Sequence, residues 1–133
     1  MLIVAGDIMP NDDEGRFLGY LQWLAKQKYQ KIILIGGNHD NLFIEHQDIL
    51  LRSADFDYLI DSGTHFAGLK IWGSPWTKKF EGMNPRCMAF TVDAEEELAK
   101  KWALIPSDTD ILVTHCPPYD ILDSIEDRHR VGA

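Results

Sequence analysis

Three short runs of apolar, mostly branched residues each stop at polar side chains, and this repeated design constrains the fold more than any other feature. Leu2-Ile3-Val4-Ala5-Gly6 runs into Asp7. Lys31-Ile32-Ile33-Leu34-Ile35-Gly36-Gly37 runs into Asn38, His39 and Asp40, and Asp110-Ile111-Leu112-Val113-Thr114 runs into His115. None of the runs alternates apolar with polar, which suits central strands covered on both faces. Open α/β sheets build sites where such strands stop, so Asp7, Asn38 and His115 are expected to gather at one sheet edge.

The segments between are helical in pattern. Phe17, Leu21 and Leu24 recur at i, i+4 and i+7, predicting a helix from about Glu14 to Gln27 with an Asn11/Glu14 capping box. A second helix is expected over His46 to Ser53. A third is expected over Ala94 to Leu104, with Asp93 and Glu96 at capping-box spacing and Pro106 as its stop. Tyr58-Leu59-Ile60 and the run His65 to Ser74 read as short strands with a tight hairpin through Ala67-Gly68. Thr77 to Arg86 is a polar loop of the kind that carries function. The fold class is therefore α/β, and 133 residues, 45% of them hydrophobic, are expected to form a single domain.

Charge and composition narrow the function classes. A formal net charge of -8 argues against a nucleic-acid duplex or an anionic membrane as partner. It leaves a phosphate-bearing small molecule open, because a bound divalent cation reverses the local field. No run approaches the roughly 20 apolar residues of a membrane span, and the start reads as a buried strand rather than a signal peptide, so a cytoplasmic protein is expected. Cys87 and Cys116 are expected as free thiols.

Taken singly, Asp7 can be a turn cap and Asn38 a loop residue. As a set with His115 they offer a carboxylate, an amide oxygen and an imidazole, donors suited to one Mn, Fe, Zn, Ni or Mg ion. His39 beside a bound phosphate can protonate a leaving oxygen, and Asp40 is a candidate to fix its tautomer. Gly36 and Gly37 let backbone approach the site, without the spacing of a P-loop.

Ala5-Gly6-Asp7, Gly37-Asn38-His39-Asp40 and Thr114-His115, in that order, resemble three successive motifs of the calcineurin-like metallophosphoesterases. The resemblance extends through Ile71 to Thr77, His115-Cys116-Pro117-Pro118-Tyr119 and Ile121-Leu122-Asp123, and is similar to the small branch that includes weakly active cyclic-nucleotide phosphodiesterases. It implies an α/β/β/α sandwich with central mixed sheets. It also implies two metals in a complete site, with Asp7 bridging them, Asn38 and His115 ligating the second, His39 assisting catalysis and Asp40 supporting His39.

Two motifs of the pattern are missing: an Asp-x-His before the first Gly-Asp, and a Gly-His-x-His beyond the last His. His46, His65 and His129 lie in other contexts, on a helix surface, in a sheet or hairpin, and in a charged terminal segment. Expected from this is an incomplete or truncated domain over residues 1–133 that holds one metal and hydrolyses phosphodiesters weakly or not at all. An alternative is an inactive metal-binding or protein-interaction module. An exposed sheet edge would then serve a homo-oligomer or a complementary domain.

Overall fold

The computed structural model describes residues 1–9, 11–79, 82–124 and 132. Eight strands and four helices follow in the order β1 (Leu2–Ala5), α1 (Glu14–Ala25), β2 (Ile32–Ile35), α2 (Asn41–Glu45), α3 (Gln47–Leu51), β3 (Asp57–Tyr58), β4 (Ser62–Phe66), β5 (Leu69–Ser74), β6 (Thr77–Lys78), β7 (Thr91–Val92), α4 (Glu95–Trp102) and β8 (Ile111–Thr114). This is an α/β fold of mixed sheets and helices, consistent with a metallophosphoesterase-type sandwich.

The three polar-tipped strands do not share one sheet. β1 and β2 lie in a parallel sheet of order β1-β2-β3, whereas β8 pairs in parallel with β5 in a second sheet of order β4-β5-β8. The expected single sheet edge is thus a seam where two sheets end together. The pleat explains why β2 has no polar face: Ile32 and Leu34 point to a helical core with Phe17, Leu24, Phe43 and Leu50. Ile33 and Ile35 point the other way, into the space between the sheets, where Leu59, Ile71 and Val113 meet them. On β8 the same alternation buries Val113 and leaves Leu112 exposed.

Local signals account for much of the rest. The hairpin forms as expected, Phe66 pairing with Leu69 around Ala67 and Gly68, whose φ values of 51° and 82° place both turn residues in the left-handed region. Cys87 and Cys116 are free, buried thiols. The helix caps differ from the expected ones. Asp13, one residue before α1, accepts from the Arg16 N–H at 3.0 Å in place of Asn11. At α4 the cap is Ala94, and Glu97 reaches back to the Asp93 N–H at 3.2 Å in place of an Asp93/Glu96 box. The helix expected over His46 to Ser53 is α3, shorter at both ends, and a separate helix, α2, precedes it across His46. There the imidazole stacks on Phe17 at 5.2 Å and meets Glu14 Oε1 at 2.9 Å, so contacts to α1 outweigh helix continuity.

The turns that follow β1 and β2 are tied together by one carboxylate. Asp40 is fully buried, and its Oδ2 accepts from the Asp7 and Gly37 N–H groups at 2.7 Å each. Its Oδ1 accepts from Ile8 and Met9 at 2.8 Å each. Gly6 and Gly37 permit the approach: a Cβ on Gly6 would lie 2.6 Å from Gly37 N, and one on Gly37 would lie 2.5 Å from Asp7 Oδ1. Burial pushes the Asp40 carboxyl above the ordinary carboxylate range, and the four N–H bonds pull against that shift.

Asp40→Asn keeps the shape but turns an NH2 group toward two of these donors. Leaving two buried N–H groups without an acceptor costs about 2–6 kcal/mol. Urea denaturation should therefore show a loss of that order, whereas a change under 0.5 kcal/mol, the size of a neutral surface substitution, would show that the cluster does not hold the turns.

Candidate metal centre at the seam of two sheets

Asp7 stands in a left-handed turn, φ 58°, immediately after Gly6 at φ 90°. That kink turns its carboxylate back over the end of β2, where Oδ1 accepts the His39 backbone N–H at 3.1 Å. Asn38 follows β2, and its Nδ2 donates to the Cys87 carbonyl at 3.2 Å. The amide orientation is thereby set, with Oδ1 as the atom facing His115. His115 follows β8 and crosses the seam, its Nδ1 2.9 Å from the Ala5 carbonyl. A carbonyl only accepts, so Nδ1 carries the proton of a neutral ring and Nε2 presents a lone pair.

That lone pair meets two further acceptors. Nε2 lies 3.0 Å from Asn38 Oδ1 and 3.3 Å from Asp7 Oδ1. Three acceptor atoms facing one another repel unless a cation lies among them, either a second proton on His115 or a metal ion. Separations of about 3 Å match neighbouring donors around an ion bound at about 2.1 Å. The carboxylate, amide and imidazole set fits a divalent cation, and the Ala5 carbonyl is the kind of partner that orients a metal-binding imidazole. The residues present therefore fit one ion. His115 is 14% exposed and Asp7 40%, so the cluster opens to solvent on its carboxylate side.

His39 sits at the rim, 36% exposed, with Nε2 4.0 Å from Asp7 Oδ2. Among the described residues Asp40 makes no hydrogen bond to His39, because its oxygens are taken by the four backbone donors. The ring's partner is instead Cys87, whose Sγ lies 3.1 Å from Nδ1. Cys87 comes from the segment between β6 and β7, which closes over the Asn38 turn: the Ala89 N–H donates to the Asn38 carbonyl at 3.2 Å, and Asn41 Nδ2 donates to the Arg86 carbonyl at 2.7 Å. Desolvation, with the negative charges of Asp7 and Asp12, pushes the Cys87 thiol up, while Arg86 opposes them. The sequence reading treated this cysteine only as a free thiol. Its one signal was its place beside a polar, Gly- and Pro-containing loop.

Other candidates separate from this cluster. Trp76 clamps a loop, with Nε1 donating to Asp61 Oδ2 at 2.8 Å and Lys101 Nζ over its ring at 3.8 Å. His65 lies on β4 opposite Lys70, and His129 falls outside the described residues. His46 joins Glu14 and Glu45 with ligand atoms all within 4.8 Å of one another, a three-ligand cluster capable of coordinating one metal ion. The sequence reading did not assemble that set, because α1 and α2 bring it together only in the fold.

Comparison with known proteins follows the same line. The family profile described as calcineurin-like phosphoesterase matches residues 1–132. The chain is 31% identical over 157 aligned residues to metallophosphoesterase domain-containing protein 1 of Homo sapiens, covering 99% of this chain and 47% of the human protein. The Mus musculus protein of that name matches with the same identity and coverage. A probable rhamnogalacturonate lyase C of Emericella nidulans is 32% identical over 139 residues, which cover 92% of this chain and 12% of that protein. The chain thus spans about half the length of the mammalian relatives. A match running nearly from end to end leaves one conclusion about ancestry: the chain belongs to the calcineurin-like phosphoesterase family.

Proposed function

We propose that the chain is a reduced phosphodiesterase-type unit in which Asp7, Asn38 and His115 hold one divalent cation and His39 supplies a proton. The observation that carries this is the convergence of a carboxylate, an amide oxygen and an imidazole, with His115 Nε2 3.0 Å from Asn38 Oδ1 and 3.3 Å from Asp7 Oδ1. When bound there, a divalent cation supplies Lewis-acid polarisation of a phosphoryl oxygen. Asp7 contributes the negative charge of the set, and His115, held by the Ala5 carbonyl, keeps its lone pair aimed inward. His39 lies beside the set, with Nε2 placed to protonate the departing ester oxygen.

The substrate class is a small phosphodiester, such as a cyclic-nucleotide-like molecule, in keeping with the weakly active cyclic-nucleotide branch that the motifs resemble. With a formal charge of -8 the chain attracts such an anion only through the bound cation. In these 133 residues no Asp-x-His precedes Gly6-Asp7 and no Gly-His-x-His follows His115, so the ligand set assigned here is that of one ion, with weak or absent turnover expected of residues 1–133 taken alone. Residues 1–133 act as one domain, cytoplasmic in location; among those described, no helix is long and apolar enough to cross a membrane. An interaction module is the second reading. It is favoured by Leu112 on the outer face of β8, 48% exposed, and by the exposed Ile121 and Leu122 beyond it, which suit a second copy or a complementary domain at that sheet edge.

Calorimetric titration with Mn2+, paired with hydrolysis of a bis-aryl phosphodiester, tests the division of labour. One ion per chain is expected. His115→Ala should weaken its binding by at least tenfold, about 1.4 kcal/mol. His39→Ala should bind within a few-fold of the parent while turnover falls by about 10²–10⁴. Two tightly held ions with robust turnover, or binding and turnover unchanged in both variants, would contradict this assignment.

A further inference from the structure

We propose that Cys87 is a positioning residue for His39, its S–H donating to Nδ1 so that the ring is fixed and its proton resides on Nε2. This rests on reading His39 as the proton donor, since an imidazole can protonate a leaving oxygen only from the nitrogen that carries hydrogen.

Three observations carry it. The Sγ to Nδ1 distance is 3.1 Å, and the thiol is buried at 4% exposure, so water does not compete for that nitrogen from the cysteine side. Cys87 is itself held in place: its N–H donates to the Asn84 carbonyl at 2.9 Å, and its carbonyl accepts from Asn38 Nδ2. One residue therefore sets both the Asn38 amide, through its backbone, and the His39 ring, through its side chain. Finally, the carboxylate next in sequence to His39 is unavailable for the task, Asp40 being saturated by four backbone N–H groups.

The direction of the bond follows from the other side of the ring. Nε2 faces the Asp7 carboxylate at 4.0 Å, where an N–H is attracted and a lone pair is repelled. With hydrogen on Nε2, Nδ1 is an acceptor, and the thiol is the donor that faces it. The imidazole is thus oriented by a thiol on Nδ1 and by an anion beyond Nε2.

The test uses the full 133-residue chain labelled with 15N-histidine, with and without Mg2+, and long-range 1H–15N correlation to read the His39 tautomer. His39→Ala identifies the resonances. The parent spectrum should show Nε2–H; an Nδ1–H ring would overturn the proposal without any variant being made. Cys87→Ala should give a mixture of tautomers, and Cys87→Ser, which restores a donor, should return the ring to Nε2–H. In bis-aryl phosphodiester turnover, Cys87→Ala should lower kcat by about 2- to 10-fold, the size of one lost hydrogen bond, with KM within about twofold and recovery in Cys87→Ser. An unchanged tautomer in Cys87→Ala overturns the positioning role. Turnover unaffected by His39→Ala, alongside the expected tautomer shift in Cys87→Ala, removes His39 as the acid while leaving the Cys87 contact established, so the two failures are told apart.

Discussion

The buried Asp40 carboxylate, wrapped by the N–H groups of Asp7, Ile8, Met9 and Gly37, is the interaction on which the site depends. A parallel sheet leaves the ends of neighbouring strands as separate loops, and nothing in strand pairing alone fixes how those loops sit. Here four backbone donors from two loops converge on one anion, which aligns the left-handed turn at Asp7 with the turn carrying Asn38 and His39. Burying the charge is costly, and the N–H bonds offset that cost by satisfying the lone pairs of both oxygens. Asp40 shapes the site without entering it.

The second constraint is the seam. β8 belongs to a different sheet from β1 and β2, so His115 reaches Asp7 and Asn38 only because the two sheets pack through Ile33, Ile35, Leu59, Ile71 and Val113. The Ala5 carbonyl then accepts from His115 and joins the first sheet to the imidazole of the second. Packing and chemistry are coupled at that point, because a shift between the sheets would separate the three donor atoms while leaving each strand intact. The segment that follows β6 closes the remaining side, with Ala89 and Cys87 held on Asn38.

The sequence made some of this legible for local reasons. Unalternating runs announced strands, but only β2 is buried throughout; β1 and β8 lie at sheet edges with Ala5 and Leu112 exposed, while the Ala67-Gly68 pair announced a two-residue turn. Asp40 was misread because adjacency to His39 suggested a partnership, whereas its acceptors are turned toward backbone donors that no side-chain pattern reveals. The helix expected from His46 forms as α3, while the break that separates it from α2, at a His46 stacked on Phe17 across 29 residues, has no local signal. Asn11 and Asp93 looked like caps by spacing, yet Asp13 and Glu97 make the bonds. Cys87 was invisible as a site residue, since its place beside His39 depends on a loop crossing from β6 and on no motif.

Anomalous diffraction from crystals grown with Mn2+ is the most direct measurement of the claim that three acceptors share a cation. An anomalous peak about 2.1 Å from His115 Nε2, Asn38 Oδ1 and Asp7 Oδ1 is expected. Absence of a peak there at full occupancy of Mn2+ elsewhere, for instance among Glu14, Glu45 and His46, would contradict it and leave a doubly protonated His115 as the cation that holds the three groups together.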